Sequence, residues 1–192
     1  YGVLLLESEL GSGNGKLVGD DGYFGLVEKT KAFMRYATAA PAYGTRAPDG
    51  FGSPDGTHPS GASWKWLMML DDDVFLRTQR LVDGLTATAP SERFYAGQVW
   101  TTHFGYSIKP VRNPKHQNYL SEEDWALGEM PPFAIGPHYM VSFDCAEFVG
   151  KNAEQLGGVG TLEDVSMALW LLTTGVKPQH VPAFSNARTF GC

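Results

Sequence analysis

WLMMLDDDVFLRT, residues 66–78, is the stretch on which the reading of the fold turns. Residues 66–70 are apolar without a break, Asp71, Asp72 and Asp73 follow, and the chain turns apolar again at Val74 and Phe75. A short apolar run ended by a polar cluster has the pattern of a buried strand. Three adjacent carboxylates repel one another unless positive charge sits among them. Two readings are open. In one, the aspartates are hard oxygen ligands for Mg2+ or Mn2+, with a diphosphate completing the shell. In the other they form a solvated acidic turn, or a cap for a helix beginning near Arg77. The buried run before them and the Val-Phe after them weigh towards the metal site.

Working outward from that strand, residues 77–89 carry a helical pattern and RFYAGQVW (93–100) reads as the next strand. Residues 101–132 are irregular and rich in Pro and Asn. A strand follows at 138–143, then helices at 144–156 and 162–175, and a short closing strand at 177–184. Upstream, YGVLLLE (1–7) reads as a buried strand and GSGNGK (11–16) as a turn. Phe24, Val27, Phe33, Tyr36 and Ala37 recur at helical spacing until Pro41 ends the helix. Residues 41–63 hold five glycines and four prolines and read as a long loop. Strands alternating with helices imply one α/β sandwich domain over 1–192, built on a mixed, mostly parallel sheet. Ligands in such sheets sit beyond the carboxyl ends of the strands, and the triple aspartate falls at one of those ends.

Composition narrows the function classes. The chain has 192 residues, 43% of them hydrophobic and 12% aromatic, which suits a folded domain with a sizeable core. A net charge of −6 disfavours nonspecific nucleic-acid binding and offers no basic patch to an anionic membrane. No stretch approaches the roughly 18 apolar residues that span a bilayer. The first residue is Tyr1 and no signal-peptide pattern follows it, so any targeting segment is expected outside this sequence. Cys145 and Cys192 allow one disulfide or none.

A second constellation is TLEDVSMALWLL, residues 161–172. Thr161 and Asp164 have the spacing of a capping box, and acids at a helix start complement its dipole. A carboxylate there is also held rigidly, so Asp164 is a candidate general base if it faces the same cleft as Asp73.

Further segments fall in a recognisable order. Glu7 is followed by DGYFGLVEKT (21–30), then DDDVF (71–75), YAGQV (95–99), Pro110, Arg112 and Lys115, PPFAIGPHYMVS (131–142), and Glu163-Asp164-Val165. In order and spacing these resemble the inverting β-1,3-glycosyltransferase family that includes the β-1,3-galactosyltransferases, with Fringe enzymes as relatives. The resemblance implies a GT-A-like, Rossmann-like fold and a UDP-sugar donor, usually UDP-galactose or UDP-N-acetylglucosamine, with a glycan acceptor. It implies that Asp73 holds Mn2+ (or Mg2+) bridging the diphosphate. Asp72 would lie near the ribose, with Asp71 and Lys29 also on the side of the bound donor. Asp164 would deprotonate the acceptor hydroxyl, which attacks the anomeric carbon in line and inverts it. His180 is a candidate to complete the metal shell, or a structural histidine. The family implies a Golgi lumen.

The sequence departs from the family pattern in places. Leu70 stands where a Lys usually precedes the aspartates, GSGNG replaces an Asp-Ile turn, and Lys115-His116 replaces Lys-Trp. Pro137-His138 replaces Gly-Gly, which is expected to stiffen a loop near the acceptor. The family's opening strand and Arg-rich segment, which help form the nucleotide pocket, have no counterpart in this sequence, so either another segment is expected to supply them or the pocket is incomplete. An alternative follows: a catalytically silent domain serving as a structural subunit of a larger complex. A protein partner, or the loop at 41–63, would then cover the sheet edge at residues 3–6 or 65–70.

Overall fold

The computed structural model describes residues 25–38, 65–71 and 74–184. The strand expected at 1–7, the loop at 41–63, and both Asp72 and Asp73 lie outside them. The elements are α1 (Leu26–Thr38), β1 (Trp66–Leu70), α2 (Thr78–Thr88), β2 (Tyr95–Trp100), a 3-10 turn (Thr102–Phe104), β3 (Phe133–Ser142), α3 (Phe143–Lys151), α4 (Glu163–Leu172) and β4 (Gln179–His180).

The described strands form one sheet in the order β1-β3-β2-β4. β3 is antiparallel to both β1 and β2, and β4 is parallel to β2. The sheet is mixed as expected, but the expectation of mostly parallel pairing is corrected. β1, β2 and β4 do run the same way, and α2 crosses over between the first two. β3 then inserts between β1 and β2 in the opposite sense, so two of the three pairings become antiparallel. β1 stands at one end of the described sheet.

β3 also begins earlier than expected, at Phe133 rather than 138. Gly97 pairs with Tyr139 and Val99 with Ala134, so residues 135–138 bulge opposite Gln98 alone. Pro137 sits in that bulge, where its missing N–H interrupts no ladder bond. Its carbonyl still accepts from the amide of Asp71 at 3.0 Å. The stiffened loop expected at Pro137-His138 is thus a bulged strand.

Side chains alternate across the sheet and build a core on each face. One face, with Tyr95, Tyr139 and Val141, packs against Met34 of α1, Val149 of α3 and Met167 of α4. The other, with Phe94, Ala96 and Met140, packs against Leu81 and Leu85 of α2. α1 and α3 approach closely at Gly150, where a Cβ would lie 2.9 Å from the Cα of Arg35.

One side chain ties together much of the irregular segment at 101–132. The Arg112 guanidinium donates to the carbonyls of Leu120 (2.7 Å), Ser121 (2.6 Å) and Trp125 (2.5 Å). These carbonyls have no ladder partner, and the planar fork of donors supplies one. Ile108, Leu120 and Met130 anchor the segment in the core.

Candidate active site

A pocket of about 530 Å3 opens where β1 ends. Met69, Leu70 and Asp71 bring the chain to its rim, and the bulge of β3, the start of α4, the first turns of α1 and the 101–132 segment complete its walls. Asp71, Glu163 and Asp164 line it together, with Thr30 and Lys109 beside them.

Glu163 and Asp164 are the first two residues of α4, after Leu162 as N-cap. The capping-box reading is corrected. Leu162 makes no side-chain cap bond, and Thr161 Oγ1 is buried without a partner. Asp164 is held from the strand instead. Its Oδ2 accepts from the amide of Gly136 at 3.0 Å, and its Oδ1 accepts from the amide of Val165 at 2.8 Å. The helix start and the β3 bulge therefore share one carboxylate.

Glu163 is fixed by two hydroxyls. Its Oε1 accepts from the phenol of Tyr139 on β3 and from Thr30 Oγ1 on α1. Burial pushes the Glu163 carboxyl up to about 8; the Tyr139 hydrogen bond opposes this, and the charges of Asp164 and Asp71 add to it. Asp164 is also raised, first by burial, against the pull of the Val165 and Gly136 amides, with Asp71 again adding to the rise. Burial likewise holds the Tyr139 phenol well above its ordinary value, so it stays a donor.

Three carboxyls face one pocket, and negative charge at Asp71 works against ionising the other two. Positive charge beside Asp71 would relieve that field, and oxygen donors are what Mg2+ and Mn2+ take. Among the described residues no three candidate ligands converge on one point; Asp72 and Asp73 lie outside them.

Of the residues singled out in the sequence, the structure brings Asp71 and Asp164 to the same pocket. Lys29 is half-buried on α1, next to Thr30. His180 stands apart from the pocket lining. Its Nδ1 accepts from the amide of Val99 at 3.1 Å, and its ring lies 4.5 Å from that of Phe104. Glu163, Tyr139, Thr30 and Gly136 were not singled out individually, although all four lie in quoted motifs. The available signal was the side-by-side pair of acids at a helix start. Capping accounts for that pair equally well from sequence alone.

Comparison with known proteins adds to this geometry. A family model described as galactosyltransferase matches residues 60–182. The chain is 35% identical over 123 residues to "Beta-1,3-galactosyltransferase GALT1" of Arabidopsis thaliana, covering 62% of this chain and 18% of that protein. It is 29% identical over 140 residues to "Hydroxyproline O-galactosyltransferase GALT6" of the same plant, covering 71% and 19%. It is 28% identical over 130 residues to "Lactosylceramide 1,3-N-acetyl-beta-D-glucosaminyltransferase A" of Danio rerio, covering 68% and 34%. The chain thus spans between 18% and 34% of the length of these relatives.

Proposed function

The chain belongs to the galactosyltransferase family, and from that premise we propose that it is a metal-dependent inverting hexosyltransferase. It moves galactose or N-acetylglucosamine from a UDP-sugar to a hydroxyl of a glycan, in β-1,3 linkage. The observation that carries this reading is Asp164, held by the amides of Gly136 and Val165 on the wall of a pocket at the carboxyl end of β1. A base fixed by two backbone donors keeps one orientation without a cost in side-chain entropy at the moment of reaction. Asp164 takes the proton of the acceptor hydroxyl. The freed oxygen attacks the anomeric carbon, and the bond to UDP breaks on the opposite face with its electron pair leaving on the diphosphate. The sugar is thereby inverted.

Asp73 would hold the divalent cation, whose chemistry is to neutralise charge on the leaving diphosphate. His180 joins that shell only by giving up the bond from Val99, because a neutral ring whose Nδ1 accepts carries its proton on Nε2. Asp71, Asp72 and Lys29 fall to the donor side in this reading. The transferase names of the relatives lend no support to a silent structural domain. A Golgi lumen suits the family; no described helix is long and apolar enough to cross a membrane.

The test is transfer by the full-length protein from UDP-galactose and UDP-N-acetylglucosamine to p-nitrophenyl β-galactoside and β-N-acetylglucosaminide with Mn2+, the product linkage being read by NMR. Asp164→Asn should lower kcat by about 10²- to 10⁴-fold, the usual contribution of a general base. Full activity in that variant, or no transfer from either donor, overturns the reading.

A further inference from the structure

Glu163 has no part in the steps above, yet the fold fixes it more tightly than a helix-opening acid needs. An acid serving the helix dipole alone sits in water. This one gives its Oε1 to Tyr139 and Thr30, which join β3 and α1 to the start of α4. Oε2 lies towards Gly136, another residue of the pocket wall. The position a side chain would take at Gly136 lies 3.7 Å from Glu163 Oε2 and 3.7 Å from Asp164 Oδ2. The absent side chain leaves a notch, and the two carboxyl oxygens border it together.

Resting on the transferase reading of this pocket, we propose that Glu163 contacts the acceptor: Oε2 hydrogen-bonds the sugar hydroxyl next to the one that Asp164 deprotonates, and the notch at Gly136 admits that edge of the ring. The upward push on the Glu163 carboxyl fits the role, since it leaves Oε2 a proton to donate near neutral pH. Glutamine preserves this pattern: its Oε1 carbonyl accepts from Tyr139 and Thr30, and its Nε2 amide donates towards the sugar.

The experiment is steady-state transfer by the full-length protein, using the β-galactoside acceptor and its deoxy analogues at the two hydroxyls flanking the attacked one. Glu163→Gln should keep kcat/KM within about threefold of wild type, whereas Glu163→Ala should raise acceptor KM about tenfold, the scale of one lost hydrogen bond, with donor KM unchanged. One deoxy analogue should cost the wild type about tenfold and cost Glu163→Ala nothing further. A merely structural Glu163 would not erase that penalty. Glu163→Gln as inactive as Asp164→Asn, an unchanged acceptor KM in Glu163→Ala, or an equal deoxy penalty in both proteins overturns the proposal. Asp164→Asn run alongside separates the two readings. If it turns over normally, the base assignment fails; if it is silent while Glu163→Ala behaves as wild type, only the Glu163 contact falls.

Discussion

The amide of Gly136 donates a hydrogen bond of 3.0 Å to Oδ2 of Asp164. Twenty-eight residues of chain separate the two, and the bond makes the β3 bulge and the first turn of α4 a single unit. Its first consequence concerns Gly136→Ala. A methyl there meets both carboxyl oxygens at 3.7 Å, ordinary van der Waals contact, so the variant should fold with stability within about 1 kcal/mol of wild type. It would fill the notch proposed to admit the acceptor, and kcat/KM should then drop about ten- to a hundredfold. Wild-type turnover in Gly136→Ala would show that the notch admits nothing.

Stability should depend on pH through Glu163. In the folded chain its carboxyl titrates near 8, against an ordinary 4.5. Between those values the folded protein holds a proton that the unfolded chain has lost. Stability from this group is therefore complete below the lower value and declines as pH rises towards the upper one. The slope is at most about 1.4 kcal/mol per pH unit for one proton. Thermal melts from pH 5 to 8 should show the decline, and Glu163→Gln should lessen it, leaving the share due to Asp164, whose carboxyl is also raised by burial. An identical slope in the variant would mean that Glu163 ionises normally.

Arg112 should prove irreplaceable by lysine. One ammonium cannot reach the carbonyls of Leu120, Ser121 and Trp125 as the guanidinium does. Arg112→Lys should cost about 1–3 kcal/mol locally, as carbonyls lose their partner. Hydrogen exchange should quicken at the amides of Leu120 and Met130, which bond to Val111 and Ile108, while β2 and β3 stay protected. Uniform loss of protection would indicate a global rather than a local role.

Metal binding has an optical handle. Trp100 lines the same pocket as Asp71, so Mn2+ should quench tryptophan emission saturably. Asp73→Asn should remove the saturable component. Equal quenching in wild type and variant would sink the assignment of Asp73 as a ligand.

How much of this was legible beforehand depended on how local each feature is. α2 and β2 lie within a residue or two of their expected spans, because periodicity within a dozen residues declares them. The direction of β3 is set by pairings with Leu70 and Val99, partners that no local pattern names. Its first half was hidden because Pro137 reads as a strand breaker until the bulge is seen. At the site, Asp71 and Asp164 stood out as charges where apolar runs end or begin. Glu163 did not, because capping grammar explains a helix-opening acid equally well, and only Tyr139 and Thr30 show that this one is turned inward.

The bond from Thr30 to Glu163 closes a span of 133 residues. Contacts so distant in sequence are slow to form, since the entropy of closing the intervening chain comes before any gain. In synthesis from the N-terminus, Thr30 on α1 emerges long before its partner on α4 is made. A nascent chain stalled short of Glu163 lacks both carboxyls of the proposed site, Glu163 and Asp164. The pocket wall is thus completed only once α4 docks, and a substitution that delays this docking would lengthen the interval in which folding helpers meet an open, apolar-lined cleft.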